Sequence, residues 1–160
     1  MFTDTPVSDD QVEEAFGILG EIGRWLAANG RNQRISSTPF ESYLRWQHER
    51  VNYCIHCNGQ LAGIYSLPQE PLSDWPEYAR DEPVRWLRAL ATHPDFRGRG
   101  VGEYAISQAL EHVDEPVYLD CVSGFLPTYY SRSGFRTIGR KMIGDFDVTL
   151  MRHANSPTRD

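Results

Sequence analysis

Apolar residues recur at two spacings along the chain, and the change of spacing separates predicted helices from predicted strands. Over residues 8–30 they fall at every third or fourth position, which places them on one face of a helix. Ser8 or Asp9 is the expected N-cap of this helix, and Asn29–Gly30 is its expected end. A second helix is predicted over residues 39–50, where a proline occupies the first turn.

The spacing changes to two immediately after the second helix. Residues 51–57 and 60–65 alternate between apolar and polar positions on either side of Asn58–Gly59, a preferred tight-turn dipeptide. This pattern predicts a β-hairpin. Residues 68–83 show no periodicity and are rich in proline and acidic residues, so we expect a long loop there, of a length that is commonly functional.

Strands and helices alternate in the remainder of the predicted structure. The expected elements are a strand at 84–92, a helix at 103–112, a strand at 117–121, a short helix at 126–133, and closing strands at 135–142 and 146–153. This order predicts an α/β (α+β) fold with a mixed, mostly antiparallel central sheet that is flanked by helices.

Composition narrows the number of domains and the classes of partner. A length of 160 residues predicts one domain, 1–153, followed by a polar C-terminal tail, 154–160. The net charge of −6 and the lack of a basic run argue against a nucleic-acid partner. No apolar run is long enough to span a bilayer, so no membrane partner is expected, and the three cysteines favour a reduced, cytoplasmic setting.

The most informative segment is Arg97–Gly102, which has the sequence Arg-Gly-Arg-Gly-Val-Gly between a predicted strand and a predicted helix. Its glycines allow positive φ angles and a close approach of the backbone to a ligand. The first N–H groups of the helix have no partner inside the helix and point towards the same place. With two arginines alongside, this arrangement predicts a binding site for a phosphate or pyrophosphate.

The glycine spacing excludes the two commonest nucleotide motifs. The dinucleotide motif G-x-G-x-x-G fails because Glu103 stands where the third glycine is needed, and the P-loop fails because no Lys-Ser/Thr pair follows Gly102. A Rossmann-type oxidoreductase is therefore disfavoured. The pattern that remains is R-x-x-G-x-G, formed by Arg97, Gly100 and Gly102.

This pattern resembles the pyrophosphate loop of the GNAT superfamily of N-acetyltransferases. Residues 129–135 resemble the family's second signature, an aromatic pair, three residues and then Gly-Phe, and Leu119–Cys121 resembles the strand before it. The resemblance extends from about Val84 to Arg140. It implies the GNAT acyl-CoA acyltransferase fold, which usually begins with a strand. Only residues 1–7 are available for that strand, so we expect it to be short or missing.

The resemblance also implies an activity, in which an acetyl group passes directly from acetyl-CoA to a primary amine. Acetyl-CoA is the acyl donor, no metal takes part, and the acceptor is a small-molecule or peptide amine. Tyr130 matches the family's general acid, which protonates the leaving thiolate. The implied coenzyme-binding residues are Leu90, Ala91, Thr92, Arg97, Gly98, Arg99, Gly100, Val101, Gly102 and Tyr130.

The general base stays open at this stage. Many relatives carry a Glu in the central strand, whereas the corresponding stretch here, residues 86–89, has no carboxylate. Glu82 and Asp120 are the candidates for this role, with Asp81 and His93 as further alternatives.

A second departure concerns the coenzyme. Many relatives have an Asn before the tyrosine pair that helps to hold coenzyme A. Residues 122–128 contain no Asn, and Ser123 is the candidate to take its place in binding coenzyme A. Together with the missing strand carboxylate, this leaves a second function open, a non-catalytic acyl-CoA-binding or sensor module on the same fold.

Two cysteine constellations offer competing chemistry. Cys54, His56 and Cys57 are potential metal ligands, but along a strand Cys54 and His56 share one face while Cys57 points to the other, so no metal site is expected. Cys121 could accept the acyl group in a two-step route if a base such as His93 lay beside it. Cys121 has the setting of an apolar strand residue, so direct transfer is favoured.

The acceptor site is the least defined part of the sequence. We expect the first two helices and the 68–83 loop to form its walls, where aromatic and acidic side chains would favour a cationic acceptor. The aromatic residues concerned are Tyr43, Trp46, Trp75 and Tyr78, and the acidic residues are Asp74, Glu77, Asp81 and Glu82. A homodimer through the closing strands is a further possibility.

Overall fold

The computed structural model describes residues 1–30, 38–78 and 81–155. The elements in chain order are β1 Phe2–Pro6, α1 Val12–Ala28, α2 Phe40–His48, β2 Asn52–Cys57, β3 Gln60–Ser66, β4 Gln69–Glu70, β5 Val84–Trp86, β6 Arg88–Thr92, α3 Val101–His112, β7 Val117–Val122, α4 Phe125–Ser131, β8 Arg136–Ile143 and β9 Phe146–His153. They form a mixed α/β fold, as predicted.

The strands make two sheets. The first has the order β1-β2-β3-β6, and the second has the order β4-β5-β7-β9-β8. All pairs are antiparallel except β5 with β7, which confirms a mixed, mostly antiparallel arrangement.

The two predicted N-terminal helices and the hairpin are confirmed. A 3-10 turn at Asp9–Gln11 precedes α1, and the Ser8 N–H donates to the Gln11 side chain at 3.2 Å. Alternate residues of the hairpin face opposite ways, as a period of two requires. Cys54 and Ile64 pack against α1 and α2, whereas the hairpin's other face packs against α3.

The first strand is present, although residues 1–7 gave little room for it. β1 pairs along its whole length with β2, from Phe2 opposite Cys57 to Pro6 opposite Tyr53. Two contacts hold it from the side: the Tyr65 hydroxyl donates to Asp4 Oδ2 at 2.6 Å, and His112 Nε2 lies 3.0 Å from the same oxygen. Both contacts are distant in sequence, so periodicity could not reveal them.

The predicted single strand at 84–92 is wrong, because the segment divides between the two sheets. β5 pairs with β7 in the second sheet, whereas β6 pairs with β3 in the first. The Leu87 N–H donates to Tyr118 O at 2.8 Å, so the chain changes sheets directly after this residue. The apolar pattern over residues 84–92 does not show which strand each end of the segment pairs with.

The 68–83 loop contains more structure than expected. β4 pairs with β5, and a 3-10 turn lies at Pro76–Tyr78. Trp75 is 1% exposed and packs in the cluster under the second sheet. Residues 79–80 of this loop and 156–160 of the predicted tail lie outside the described residues. Asn155 is buried and donates to Val113 O at 2.8 Å.

Candidate active site

Two diverging strands form a cleft at the junction of the sheets. β6 is the last strand of the first sheet, and β7 pairs with β5 only at residues 117–118. Within the described ranges, therefore, no strand lies between β6 and residues 119–122. These two edges line a cavity of about 510 Å³, hereafter the cleft, together with 96–98 and 100–103. Open strand edges of this kind can bind an extended ligand as an added strand.

A β-bulge in β6 widens this opening. The register with β3 shifts between Ile64 and Ser66, and Ala89 adopts φ 52°, which is uncommon for a residue with a side chain. The bulge bends the strand directly before Leu90, Ala91 and Thr92, the three residues assigned to the coenzyme by resemblance. All three line the cleft.

The glycine segment forms one end of the cleft. Gly98 and Gly100 have φ 78° and 84°, and a Cβ added to either would meet no atom within 4 Å. Gly100 is the N-cap of α3, and the Tyr104 N–H donates to its carbonyl at 3.0 Å. The open positive end of a 12-residue helix therefore faces a space that a diphosphate can enter.

The two arginines of the segment have different surroundings. Arg97 lines the cleft, and its guanidinium carbon lies 4.1 Å from the centre of the Trp25 ring on α1. Arg99 is exposed, lies 5.2 Å from the Phe96 ring centre, and does not line the cleft. Of the two predicted coenzyme contacts, the structure brings only Arg97 to the cleft.

Gly102 is needed for a different reason from Gly98 and Gly100. A Cβ at this position would collide with the Tyr129 hydroxyl, which donates to Glu103 Oε1 at 3.3 Å. Tyr129 thus joins α4 to the first turn of α3. The sequence patterns identified both Gly102 and Tyr129, but not the contact between them.

Tyr130 lies in the wall of the cleft on α4. Its ring packs edge-on against Tyr129 and Phe135, with ring centres 5.2 and 6.1 Å away. Burial raises the pKa of the Tyr130 phenol, and the Cys121 thiol and Tyr129 raise it further. Tyr130 therefore keeps its proton at neutral pH, which a general acid requires.

Cys121 also lines the cleft, but the base required for a two-step route is elsewhere. His93 Nδ1 accepts the Asp95 N–H at 3.1 Å, and His93 Nε2 pairs with Glu21 at 2.9 Å. Both ring nitrogens thus cap and anchor the turn before Arg97, and His93 is absent from the residues that line the cleft. This favours direct transfer.

The candidate bases differ in position. Asp120 lines the cleft, whereas Glu82 is exposed and borders neither this cavity nor the second one described below. Asp120 Oδ1 accepts from Arg88 Nη1 at 2.7 Å, and Asp120 Oδ2 accepts from Trp75 Nε1 at 3.1 Å. Arg88 also stacks on Trp86, 3.9 Å from its ring centre. Sequence reasoning missed Arg88, although an arginine inside an apolar strand is itself a signal of a buried partner.

A second cavity of about 510 Å³ lies on the other side of the Arg88–Asp120 pair. Its lining includes Arg45, Glu70, Asp74 and Trp75. The aromatic walls expected for an acceptor site are only partly found, because the side chains of Tyr43 and Trp46 on α2 are buried in the core. They pack there with α1.

Two other expected contacts have different roles. The Ser123 hydroxyl lies 2.9 Å from Asp147 Oδ1 and 2.6 Å from Thr149 Oγ1, so it joins strands of the second sheet. Glu77 pairs with Lys141 at 2.9 Å.

Across 1–30, 38–78 and 81–155, no group of three His, Cys, Asp or Glu side chains is placed to hold a metal ion. Within the same ranges, no helix has the length and apolar character to cross a membrane.

Comparisons with known proteins agree with this geometry. Residues 21–135 match the family described as Acetyltransferase (GNAT) family. Among curated proteins, none matches the sequence significantly.

Solved structures share the fold at low sequence identity. A GNAT-family acetyltransferase from Streptococcus agalactiae has a TM-score of 0.78 at 10% identity, covering 96% of this chain and 95% of its own. A ribosomal-protein alanine N-acetyltransferase from Escherichia coli has a TM-score of 0.69 at 16% identity, with 100% and 97% covered. An acetyl transferase from Salmonella typhimurium, which modifies the N-terminal serine of a ribosomal protein, has a TM-score of 0.66 at 14% identity, with 96% and 94% covered. The family match covers more than half of the chain, which therefore belongs to the GNAT acetyltransferase family.

Proposed function

We propose that this protein is an acetyl-CoA-dependent N-acetyltransferase that passes the acetyl group directly to a primary amine. The observation that carries the proposal is the cleft between β6 and β7, which ends at the open glycine turn before α3. It offers an anion site and two unpaired strand edges in one continuous cavity. N-acetyl transfer by the Escherichia coli protein of the same fold supports the reaction type.

Each part of acetyl-CoA has a matching part of the cleft. The backbone N–H groups at 98–102 and the Arg97 guanidinium would bind the diphosphate. The edge of β6 at Leu90–Thr92 would hydrogen-bond the pantetheine arm and place the thioester near Asp120 and Tyr130. The cleft has room for this ligand because Gly98 and Gly100 have no side chains in it.

The transfer needs a neutral amine and a protonated leaving group. Tyr130 donates a proton to the sulfur as the C–S bond breaks and the C–N bond forms. Of the two candidate bases, Asp120 lines the cleft, whereas Glu82 does not, so we assign Asp120 the role of accepting the proton from the incoming ammonium. No step passes through Cys121.

Substitution of Arg97 tests the anion site. Arg97→Ala should weaken acetyl-CoA binding by about 1.5–3 kcal/mol, or roughly ten- to a hundredfold, because a charge-assisted bond to the diphosphate is lost. Isothermal titration calorimetry measures this change. Arg99→Ala is the matched control and should have a smaller effect, since Arg99 does not line the cleft.

Acetyl-pantetheine, which lacks the phosphates, separates loss of a charge contact from damage to the cleft. Its affinity should be the same for the wild type and Arg97→Ala. Equal affinity of acetyl-CoA for all three proteins would remove the assignment of the glycine turn as the diphosphate site.

A non-catalytic acyl-CoA sensor on the same fold is the second candidate. It is favoured by one observation, the ion pair that occupies the Asp120 carboxylate. Thiol release from acetyl-CoA with a panel of amines distinguishes the two functions. Release that depends on Tyr130 supports the enzyme, whereas tight binding without release for any amine supports the sensor.

A further inference from the structure

A single ion pair separates the cleft from the second cavity. Among the described residues, only Arg88 and Asp120 line both cavities. Arg88 belongs to β6 of the first sheet and Asp120 to β7 of the second, so their 2.7 Å bond spans the gap between the sheets. An amine that approaches the thioester from the second cavity would therefore meet this pair.

The two partners are exposed to different extents. The Asp120 side chain is 2% exposed, whereas that of Arg88 is 26% exposed. The guanidinium therefore covers the carboxylate, and an acceptor from the second cavity meets a positive charge first. In the described part of the chain, Arg88 donates one hydrogen bond, to Asp120, of the five that a guanidinium can donate.

The rest of the second cavity also carries paired charges. Arg45 Nη2 lies 2.7 Å from Glu70 Oε2, which also accepts from Trp46 Nε1 at 2.9 Å. Asp74 adds one exposed carboxylate. Both positive and negative groups therefore line the cavity. The sequence-based expectation of a simply cationic acceptor took account of the acids alone.

A plain amine fits the Arg88 part of this lining poorly, because its ammonium is repelled by the guanidinium and it carries no group that could bind the guanidinium in place of Asp120. An acceptor that also carries a carboxylate, on the carbon next to the amine, can bind the guanidinium instead of being repelled by it. Its two oxygens match the planar fork of a guanidinium, which binds carboxylates in a bidentate manner. The ammonium of such a zwitterion then lies within a few ångströms, where Asp120 is.

We propose that the acceptor is a small zwitterionic amino acid, whose carboxylate binds Arg88 and whose ammonium binds Asp120. This inference rests on the proposed function.

The reaction would begin at the ion pair. The guanidinium moves from Asp120 to the acceptor carboxylate, which exposes Asp120 to the ammonium. Asp120 takes one proton from the ammonium and releases it to water. The nitrogen then attacks the thioester carbon, the C–S bond breaks, and Tyr130 protonates the sulfur. The second proton that the nitrogen loses restores the Tyr130 phenol.

Matched sets of acceptors test the proposal in the wild-type protein. Each set contains an amino acid, its carboxamide and the amine without the carboxyl carbon, and thiol release from acetyl-CoA is measured for each. The amino acids should have kcat/KM values about ten- to a hundredfold higher than their matched amides, through KM for the acceptor, since a charge-assisted pair is lost in the amide. Amides or plain amines that are acetylated as efficiently as the amino acids would overturn the proposal.

Arg88→Lys tests which residue recognises the carboxylate. Lysine keeps the charge opposite Asp120 but cannot form a bidentate pair. The preference for the amino acid over its amide, measured as the ratio of their two kcat/KM values with the same variant, should fall at least severalfold. Arg45→Lys is the control and should keep the preference, because Arg45 pairs with Glu70 and does not line the cleft. An unchanged preference in Arg88→Lys would assign recognition to another residue and contradict the proposal.

Calorimetry with the coenzyme A-loaded protein separates this inference from the proposed function. If no acceptor releases thiol, the proposed N-acetyltransferase function fails, and the amino-acid site is judged by binding alone. An amino acid that binds while its amide does not would support the site. Equal binding of the two, or no binding of either, would refute it even if other amines are acetylated.

Discussion

Tyr130 shows how the surroundings of one residue determine its chemistry. A phenol ordinarily loses its proton near pH 10. Burial raises the pKa of Tyr130 above that value, so the acid form persists to higher pH. Tyr129, on the same helix, is also raised, to about 12, by burial and by the Glu103 carboxylate. Both phenols are protonated at physiological pH and both residues line the cleft, but the Tyr129 hydroxyl is bonded to Glu103.

Tyr130→Phe should lower kcat by about a hundredfold or more, since one positioned acid typically contributes that factor or more. The affinity for acetyl-CoA should change little, because the ring and its contacts with Phe135 are kept. Steady-state kinetics and calorimetry measure the two effects separately. Tyr129→Phe is the control and should retain most of kcat.

The pH profile provides a second readout of the same tyrosine. A raised pKa means that the acid form is lost only above the ordinary pKa of a phenol. The wild-type kcat should therefore not decline between pH 7 and 10 through loss of this proton. A decline centred below pH 10 that is present in the wild type and absent from Tyr130→Phe would contradict the assignment.

Sequence patterns identified the site residues that belong to local motifs. They missed the residues whose place in the site depends on a contact with a residue far away in the sequence. Gly98, Gly100 and Tyr130 stand in a recognisable order, so their positions in the cleft were expected. Arg88 and Trp75 contact Asp120 from 32 and 45 residues away. No local spacing encodes contacts of that range, and they depend on the sheets meeting as they do.

At the scale of elements, the helices and the hairpin could be predicted because their apolar faces repeat locally. β1 and the division of residues 84–92 could not. The division depends on the positive φ of Ala89 and on the bond from Leu87 to Tyr118, neither of which alters the apolar pattern. The existence of β1 depends on partners in β2, β3 and α3.

Asp4 is the residue that ties β1 to those partners. Its Oδ2 atom accepts from the Tyr65 hydroxyl and lies 3.0 Å from His112 Nε2, and its side chain is only 10% exposed. The Tyr53 ring stacks against the rings of both Tyr65 and His112, with ring centres 5.0 and 4.4 Å away. One carboxylate thus joins the first strand to the hairpin and to the end of α3.

Asp4→Asn should lower the free energy of unfolding by about 1–3 kcal/mol, since hydrogen bonds to a charged acceptor are weakened. Urea unfolding measures the loss. Hydrogen exchange should show that the amides of β1 lose more protection than those of β8. Asp145→Asn, in the exposed turn between β8 and β9, is the matched control and should be nearly neutral. Equal effects of the two changes would show that the Asp4 contacts do not hold the strand.

At the scale of the whole molecule, the cleft lies where the two sheets meet, so one ligand would contact both. Its walls come from β6 of the first sheet and β7 of the second, and the β5–β7 pairing is the adjoining seam. A single domain over 1–153 and a homodimer through β8 and β9 both stay predictions. The first of them has a direct thermodynamic consequence when acetyl-CoA binds.

Acetyl-CoA at about 100 times its Kd should stabilise the folded protein by about 2.7 kcal/mol, because it binds only the folded state. For a chain of this size the Tm should rise by about 5–10 °C. If the sheets fold as one unit, thermal unfolding shows a single transition. Trp46, which packs with α1 against the first sheet, and Trp75, which packs against the second sheet, then report the same shift in Tm. Variants that keep only one of these tryptophans can be followed by fluorescence.

Arg97→Ala at the same acetyl-CoA concentration is the control and should show a smaller shift in Tm. Two transitions, with only one of them sensitive to acetyl-CoA, would show that the sheets are separate folding units and that the cleft belongs to one of them alone.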